Sequence, residues 1–557
     1  MNSMKKILTV FILAGLLFAC KSQKENLSIK KETVPFDWKA ANIYFLLTDR
    51  FYDGNPENNL NFNRNKPTEK LRGFKGGDVA GIIKKINEGY FDSLGINAIW
   101  LSPVFEQIHG AVNEGSGNTY AFHGYWIRDW TSFEPNFATE KKLKQLVETA
   151  HKHKIRILFD VVLNHTGPVT AKDPVWPSDW VRTRPQCTYD NYEHTVECTL
   201  VKNLPDIKTE SNKDVQLPAQ LIEKWKKEGR YEQEMNELDE FFANTGYPRA
   251  PRFYIIKWLT DLIRKFGIDG YRVDTAKHVE ESVWDELRKE ALKAFADWKK
   301  EHPDAILDDN EFYMLGEVYG YGISGKQIYN FPDKQVNYFK HGFDALINFE
   351  FRWSADKDYE EIFSYYSDIL NNDLKNYGVV NYLSSHDDGN PFDKKREKPF
   401  ETAVKLLLSP GTSQIYYGDE TARPLDISGA KGDATLRSFM NWNDLKNPDT
   451  QKILKHWQKI GVFRKEHPAV GAGVHKIISE KPYLFTRSYK NGNFTDKVLI
   501  GLDLPKGKKE INIQGFYDKG TVLIDYYSRK YFIVQDNKLV IDTPFDIILL
   551  AEYIANN

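Results

Sequence analysis

Three acidic residues carry the chemistry that this sequence can offer. Asp274 closes the run Gly267-Ile-Asp-Gly-Tyr-Arg-Val-Asp274, Glu317 closes Phe312-Tyr-Met-Leu-Gly-Glu317, and Asp387 closes Val379-Val-Asn-Tyr-Leu-Ser-Ser-His-Asp387. Each lies where an apolar, strand-like stretch gives way to polar sequence, the position that reactive groups occupy in a barrel of parallel strands. Alternation along the first stretch puts Arg272 and Asp274 on one face. A neighbouring guanidinium favours an ionised carboxylate, which suits Asp274 to nucleophilic attack. Apolar Met314, Leu315 and Val318 surround Glu317 in sequence and would raise its pKa, keeping it protonated as an acid. A nucleophile beside an acid is the arrangement of a retaining glycosidase, which needs the two carboxyl groups about 5–5.5 Å apart. Asp387, with His386 before it, adds an acceptor for sugar hydroxyls that could help hold a distorted ring.

Elements of a particular kind must position these groups. Near-continuous apolar runs recur at Ile43–Leu47, Ala98–Ser102, Ile155–Leu163, Gly270–Val273, Met314–Gly316, Ala345–Phe349, Val379–Leu383 and Ser413–Tyr417, the signature of parallel strands covered on both faces. Helical stripes such as Leu143, Leu146, Val147 and Ala150, or Trp284, Leu287, Ala291, Leu292 and Phe295, lie between them. Eight alternations predict an α/β fold, a closed (β/α)8 TIM barrel. One long interruption, with several prolines and a charged stretch near Glu223–Glu240, predicts a subdomain inserted after strand 3 on the catalytic face. Past His467-Pro468, short alternating runs with Gly- and Asp-rich turns predict a C-terminal antiparallel β-sandwich. The expected division is a signal peptide over 1–19, a tether over 20–36, the barrel over 37–170 and 251–470, the insertion over 171–250 and the sandwich over 471–557.

Composition sets the class. The chain has 557 residues, 41% hydrophobic and 14% aromatic, at a formal net charge of −2. That is ample material for a core, and there is no basic excess to draw nucleic acid. Lys5-Lys6 precede an apolar run from Ile7 to Ala19, too short to span a bilayer but suited to an export signal. The run ends Leu17-Phe18-Ala19-Cys20, which resembles a bacterial lipobox, so Cys20 is expected to carry lipid and to be the chain's only link to a membrane. Cys187 and Cys198 are the other cysteines. Export makes a short-loop disulfide between them the expectation, with two free thiols as the alternative.

The ordered segments Asp160-Val-Val-Leu-Asn164-His165, Gly270-Tyr-Arg272-Val-Asp274-Thr-Ala-Lys277-His278, Gly316-Glu317-Val-Tyr and Ser384-Ser-His386-Asp387, with Leu204-Pro-Asp206-Ile in the insertion, resemble glycoside hydrolase family 13, the α-amylase family. The resemblance runs from about Asn42 to the C-terminus. It implies Asp274 as nucleophile, Glu317 as acid/base and Asp387 as transition-state stabiliser, in agreement with the roles read from the residues. It further implies that His123, Tyr125, His165, Arg272 and His386 line the subsite of the reacting glucose, with Tyr125 stacking on its ring, and that Lys277 and His278 face the next sugar on the leaving-group side.

Calcium is implied twice. Asn164, Asp206 and the carbonyl of His278 match the family's site between barrel and insertion, the alternative being a hydrogen-bonded Asn–Asp pair. Asp53, Asn55, Asn58 and Asn59, followed by Gly76-Gly77-Asp78, resemble a second calcium loop of cyclodextrin glucanotransferases and related amylases; read without the family, Asp53-Gly-Asn-Pro is an ordinary turn. The expected activity is endo-acting hydrolysis of α-1,4 bonds in starch and maltodextrins by an exported, monomeric envelope lipoprotein. A cyclodextrin-acting or transglycosylating relative and an α-glucosidase are the alternatives within the fold, and a non-catalytic glycan-binding lipoprotein is the alternative outside enzymes.

Overall fold

The computed structural model describes residues 34–115 and 117–553. The expected signal segment, Cys20 and most of the tether lie outside the described residues. Eight parallel strands close on themselves: β1 (Asn42–Leu46), β2 (Ala98–Leu101), β3 (Arg156–Val161), β4 (Gly270–Val273), β5 (Tyr313–Gly316), β6 (Ala345–Asn348), β7 (Gly378–Tyr382) and β8 (Thr412–Tyr416), with β8 pairing back onto β1. Every residue of these strands is buried, which is why they read as unbroken apolar runs rather than alternating ones. The (β/α)8 barrel is therefore as expected, with strand ends displaced by a residue or two.

Register places the chemistry. Asp160 of β3 lies beside Arg272 of β4, so a carboxylate and a guanidinium share the barrel interior. Asp274 and Glu317 are the first residues beyond β4 and β5. The helices outside follow the predicted stripes: Glu140–Lys152 starts with the Thr139 side chain accepting from Lys142 N and buries Leu143, Leu146, Val147 and Ala150. Pro251–Phe266 begins with proline in its first turn and ends at Gly267, whose φ is +66°. A Cβ there would sit 2.0 Å from the Trp298 ring, so glycine is required both for the left-handed turn and for the approach of the next helix.

The interruption between β3 and β4 folds as two short antiparallel strands, Val181–Arg182 and Asp206–Ile207, followed by helices Ala219–Glu228 and Tyr231–Thr245. The charged stretch forms these two helices, whose inner faces bury Trp225, Leu238, Phe241 and Phe242. Lys224 fixes the first of them to the antiparallel strand pair Phe105–Gln107 and Ile127–Phe133 that follows β2, with Nζ 2.5 Å from both Glu106 Oε2 and Asp129 Oδ2.

The C-terminal region contains β9 (Val474–Glu480), β10 (Tyr483–Asn491), β11 (Phe494–Leu502), β12 (Gly507–Asn512), β13 (Val522–Asp525), β14 (Lys530–Ile533), β15 (Lys538–Thr543) and β16 (Ile548–Glu552). They form an unequal sandwich, a six-stranded sheet in the order β9-β10-β11-β16-β13-β14 facing the pair β12-β15. Leu499, Leu523 and Leu550 from one sheet and Ile511, Leu539 and Ile541 from the other share a core separate from the barrel's. A buried arginine of β10 holds this unit to the barrel: Arg487 donates to the carbonyl of Leu408. Another, Arg464 on the helix Pro448–Glu466 that precedes the sandwich, donates to the carbonyls of Ala40, Leu407 and Ser409 within the barrel.

Because the sandwich core is separate, Ile541→Ala should lower its stability by about 2–5 kcal/mol while leaving kcat/KM unchanged within about twofold. Urea unfolding and starch hydrolysis assays check this, and a parallel loss of activity in the folded variant would count against it.

Candidate active site

At the C-terminal mouth of the barrel a single buried guanidinium gathers the acidic groups. Arg272 Nη1 lies 2.8 Å from Asp274 Oδ1 and 2.9 Å from Asp160 Oδ1, and Nη2 lies 2.9 Å from Glu317 Oε2. Asp274 and Glu317 thus contact two nitrogens of the same planar group. Asp160 is itself held by Trp100 Nε1 at 3.0 Å and Tyr125 Oη at 2.8 Å. The Tyr125 ring stacks on His386 with centroids 5.1 Å apart, and its backbone N–H donates to His123 Nδ1 at 3.1 Å while its carbonyl meets His165 Nε2 at 3.1 Å. Asp387 completes the ring, with Oδ2 2.9 Å from His386 Nε2 and Oδ1 2.6 Å from Arg437 Nη2.

One cation cannot hold three enclosed carboxylates ionised. Burial pushes the Glu317 carboxyl up to about 7, with Arg272 opposing the rise and Asp274 and Asp387 adding to it. Burial also raises Asp274 and Asp160, again against Arg272. Asp274 is thus less acidic than the sequence implied, because burial outweighs its arginine and the neighbouring Asp160 and Asp387 oppose its charge. Asp387 differs: its carboxyl is half exposed, and although the protein around it opposes its ionisation, His386, Arg437 and Arg272 hold it far below the usual range. The site therefore has one carboxyl biased toward the protonated state beside others that are ionised more readily. A cavity of about 150 Å³ opens over this group, lined by Trp100, Arg272, Glu317, Tyr319, His386 and Asp387 among others.

Beyond Glu317 the chain builds a polar wall. Lys277 Nζ donates to the Tyr319 carbonyl at 3.1 Å and lies within 6 Å of the rings of Tyr189, Tyr319 and Tyr329. His278 is buried, its Nδ1 3.0 Å from the Thr195 carbonyl. Thr195 belongs to the loop bracketed by Cys187 and Cys198, which are joined in a disulfide.

The two expected metal sites differ in chemistry. Asn164 Nδ2 donates to Asp206 Oδ1 at 2.8 Å and to the His278 carbonyl at 3.0 Å, so the three groups meet as a hydrogen-bonded cluster; a half-turn of the amide would offer three oxygens instead. In the N-terminal loop, Asp53 Oδ1, Asn58 Oδ1, Asn59 Oδ1 and Asp78 Oδ2 are buried and accept no hydrogen bond. Gly76, at φ +93°, lets the Asn59 amide approach to where a Cβ would lie 2.6 Å away. Asn55 Oδ1 instead accepts from Glu57 N at 3.4 Å. Among the described residues, no group of three or more His, Cys, Asp or Glu side chains gathers as a metal site.

Comparison with known proteins gives this arrangement its context. The profile described as "Alpha amylase, catalytic domain" matches residues 45–447. The chain is 36% identical over 527 residues to the periplasmic alpha-amylase of Escherichia coli (strain K12), covering 84% of this chain and 72% of that one. The chain belongs to the α-amylase family. It is accordingly a glycoside hydrolase. It is also 26% identical to the cyclomaltodextrin glucanotransferase of Thermoanaerobacterium thermosulfurigenes, covering 93% of this chain and 67% of that one. The crystal structure of an Anoxybacillus alpha-amylase superposes with a TM-score of 0.63 at 24% identity, over 93% of this chain and 100% of that one, a likeness of fold.

Two residues of this α-amylase-family site escaped sequence reading. Asp160 stands in a quoted motif, yet only the β3–β4 register reveals that it anchors Arg272 and Tyr125. Arg437 lies fifty positions from Asp387 on the segment after β8, where no local pattern marks it.

The buried acid has a consequence for stability. With Glu317 raised from 4.5 to about 7, the native state keeps a proton that the unfolded chain releases. The stability this contributes is full below 4.5 and is lost as pH rises through about 7. Glu317→Gln carries no such loss, so its melting temperature should exceed the parent's at about pH 8, with the gap closing toward the ordinary Glu range of about 4.3. Identical pH slopes of Tm for both proteins would exclude a raised Glu317.

Proposed function

We propose that this protein is an endo-acting α-amylase that hydrolyses α-1,4-glucosidic bonds of starch and maltodextrins with retention of configuration. The observation that carries the reading is the Arg272 guanidinium shared by Asp274 and Glu317, which supports their acting on the same bond as carboxylate and carboxylic acid. In the first step Glu317 gives its proton to the glycosidic oxygen as Asp274 attacks the anomeric carbon. The leaving sugar departs with that proton, and a glycosyl ester of Asp274 remains. In the second step Glu317, now a carboxylate, takes a proton from water as its oxygen displaces the ester, which restores both groups. Asp387, held ionised, accepts sugar hydroxyls and stabilises the positive charge that develops on the ring. His123, Tyr125, His165, Arg272 and His386 shape that subsite, and Lys277 with His278 bounds the leaving-group side.

The likeness to a cyclomaltodextrin glucanotransferase supports a second reading, transfer of the glycosyl group to another sugar instead of water. The chemistry up to the ester is the same in both. Products from amylose separate them, since linear short maltodextrins mark hydrolysis and cyclic products mark transfer.

Calcium suits the N-terminal loop, because four buried oxygens without donors cost roughly 1–3 kcal/mol each and a hard cation accepts such ligands. Asp53, Asn58, Asn59 and Asp78 would hold it, and bound calcium supplies charge that ties this loop together. Asn164, Asp206 and the His278 carbonyl would hold another after the amide turns. For export, the apolar segment before Cys20 is the support, along with a periplasmic relative; no helix among the described residues is long and apolar enough to cross a membrane.

Asp274→Asn should abolish hydrolysis of maltoheptaose, at least about 10³-fold in kcat, while keeping maltodextrin binding; an unchanged turnover number removes Asp274 from the chemistry. The pH profile of kcat/KM should fall on the alkaline side as Glu317 loses its proton near 7. Strong chelator should lower Tm in the parent and have no effect on a Asp53→Ala, Asp78→Ala, Asp206→Ala variant. Indifference of the parent excludes calcium.

A further inference from the structure

The third carboxylate, Asp387, is half exposed on a loop followed by Gly389, with nothing in its own segment besides His386 to fix its rotamer. A residue far away in sequence supplies the rest. Arg437 is 7% exposed. Its Nε donates to the His386 carbonyl at 3.0 Å and its Nη2 to Asp387 Oδ1 at 2.6 Å, so one side chain grips both the backbone and the carboxylate of the pair.

Arg437 is in turn held from two directions. Its own carbonyl accepts from Arg50 Nε at 2.8 Å, and Arg50 is fully buried between the carbonyls of Leu71 and Gly73. Its Nη2 lies 2.8 Å from Asp433 Oδ2, while Asp433 Oδ1 accepts from Arg72 Nη2 at 2.8 Å. Arg72 also meets Glu114 Oε2 at 2.6 Å and the Lys431 carbonyl at 3.1 Å. The result is an alternating row, Glu114, Arg72, Asp433, Arg437, Asp387, that crosses four chain segments and ends at the reacting sugar's subsite. Its charges alternate throughout, so each member is neutralised by its neighbours and the last carboxylate is not competed for by an unpaired cation.

We propose that Arg437 is a positioning residue that fixes the rotamer of Asp387, and that Asp433 and Arg72 hold Arg437 in place to do so. The inference rests on the role of Asp387 given under Proposed function. Arg437 meets the carboxylate at one oxygen, and the His386 ring meets it at the other, so the remaining lone pairs have a fixed direction toward the subsite. Without the guanidinium the carboxylate is free to turn to solvent, and misplacement of a catalytic group by about 1 Å can cost 10²-fold in rate.

A double-mutant cycle on the full chain tests this with a chromogenic maltoheptaoside. Asp387→Asn alone tests the underlying reading: kcat near the parent's would remove Asp387 from the reaction and the proposal with it. With Asp387 intact, Arg437→Met should lower kcat about 100-fold with KM changed less than about threefold, and Arg437→Lys should recover at least about tenfold of that loss. In the Asp387→Asn background the same Arg437→Met change should cost less than about threefold. An equal loss in both backgrounds, or an undiminished kcat, overturns the proposal. Should Arg437→Met fail to fold by circular dichroism, Asp433→Asn leaves the arginine present and is expected to lower kcat about tenfold only where Asp387 is intact; a loss independent of Asp387 overturns it equally.

Discussion

Everything in the active site is arranged about the burial of one guanidinium. Arg272 is 1% exposed and is shared by Asp160, Asp274 and Glu317. A lone arginine in a barrel interior would cost several kcal/mol of desolvation, and a lone carboxylate the same; with three acids to one guanidinium, their joint burial is eased when one acid keeps its proton. That mismatch is what a two-carboxylate mechanism needs. Burial raises the Glu317 carboxyl first, and the nearby charges of Asp274 and Asp387 add to that rise against Arg272, so its protonation state separates from that of Asp387.

The barrel could be read from the sequence because its strands are covered on both faces, which leaves eight apolar runs at regular intervals. The three acids at strand ends followed from the same pattern. What the sequence could not convey was sharing. Arg272 and Asp274 are two apart and read as a pair, yet the β3–β4 and β4–β5 registers bring Asp160 and Glu317 to the same guanidinium. Arg437 reaches Asp387 across fifty residues, and a long-range contact of this kind has no local periodicity to betray it. The insertion shows a related limit: nothing local in its charged stretch marks Lys224 as the residue drawn into contact with Glu106 and Asp129 on the strand pair after β2.

The N-terminal loop and the segment after β8 lie on the same side of the mouth and are stitched together. Arg50 and Arg72, both upstream of the first barrel helix, end on the carbonyls of Arg437 and Lys431 and on Asp433. The loop that presents four undonated oxygens is thus continuous with the row that ends at Asp387. Bonds of about 3 Å join the two.

Arg464 has a mechanical meaning beyond packing. It joins the carbonyl of Ala40, just before β1, to those of Leu407 and Ser409, just before β8, so it spans the seam at which the cylinder is shut. Asp37 ties the same stretch before β1 to the sandwich, accepting from Tyr489 Oη at 2.8 Å. Tension applied to the chain upstream of β1 is therefore carried sideways into the last helix and the sandwich before it can shear the first strand away from the eighth.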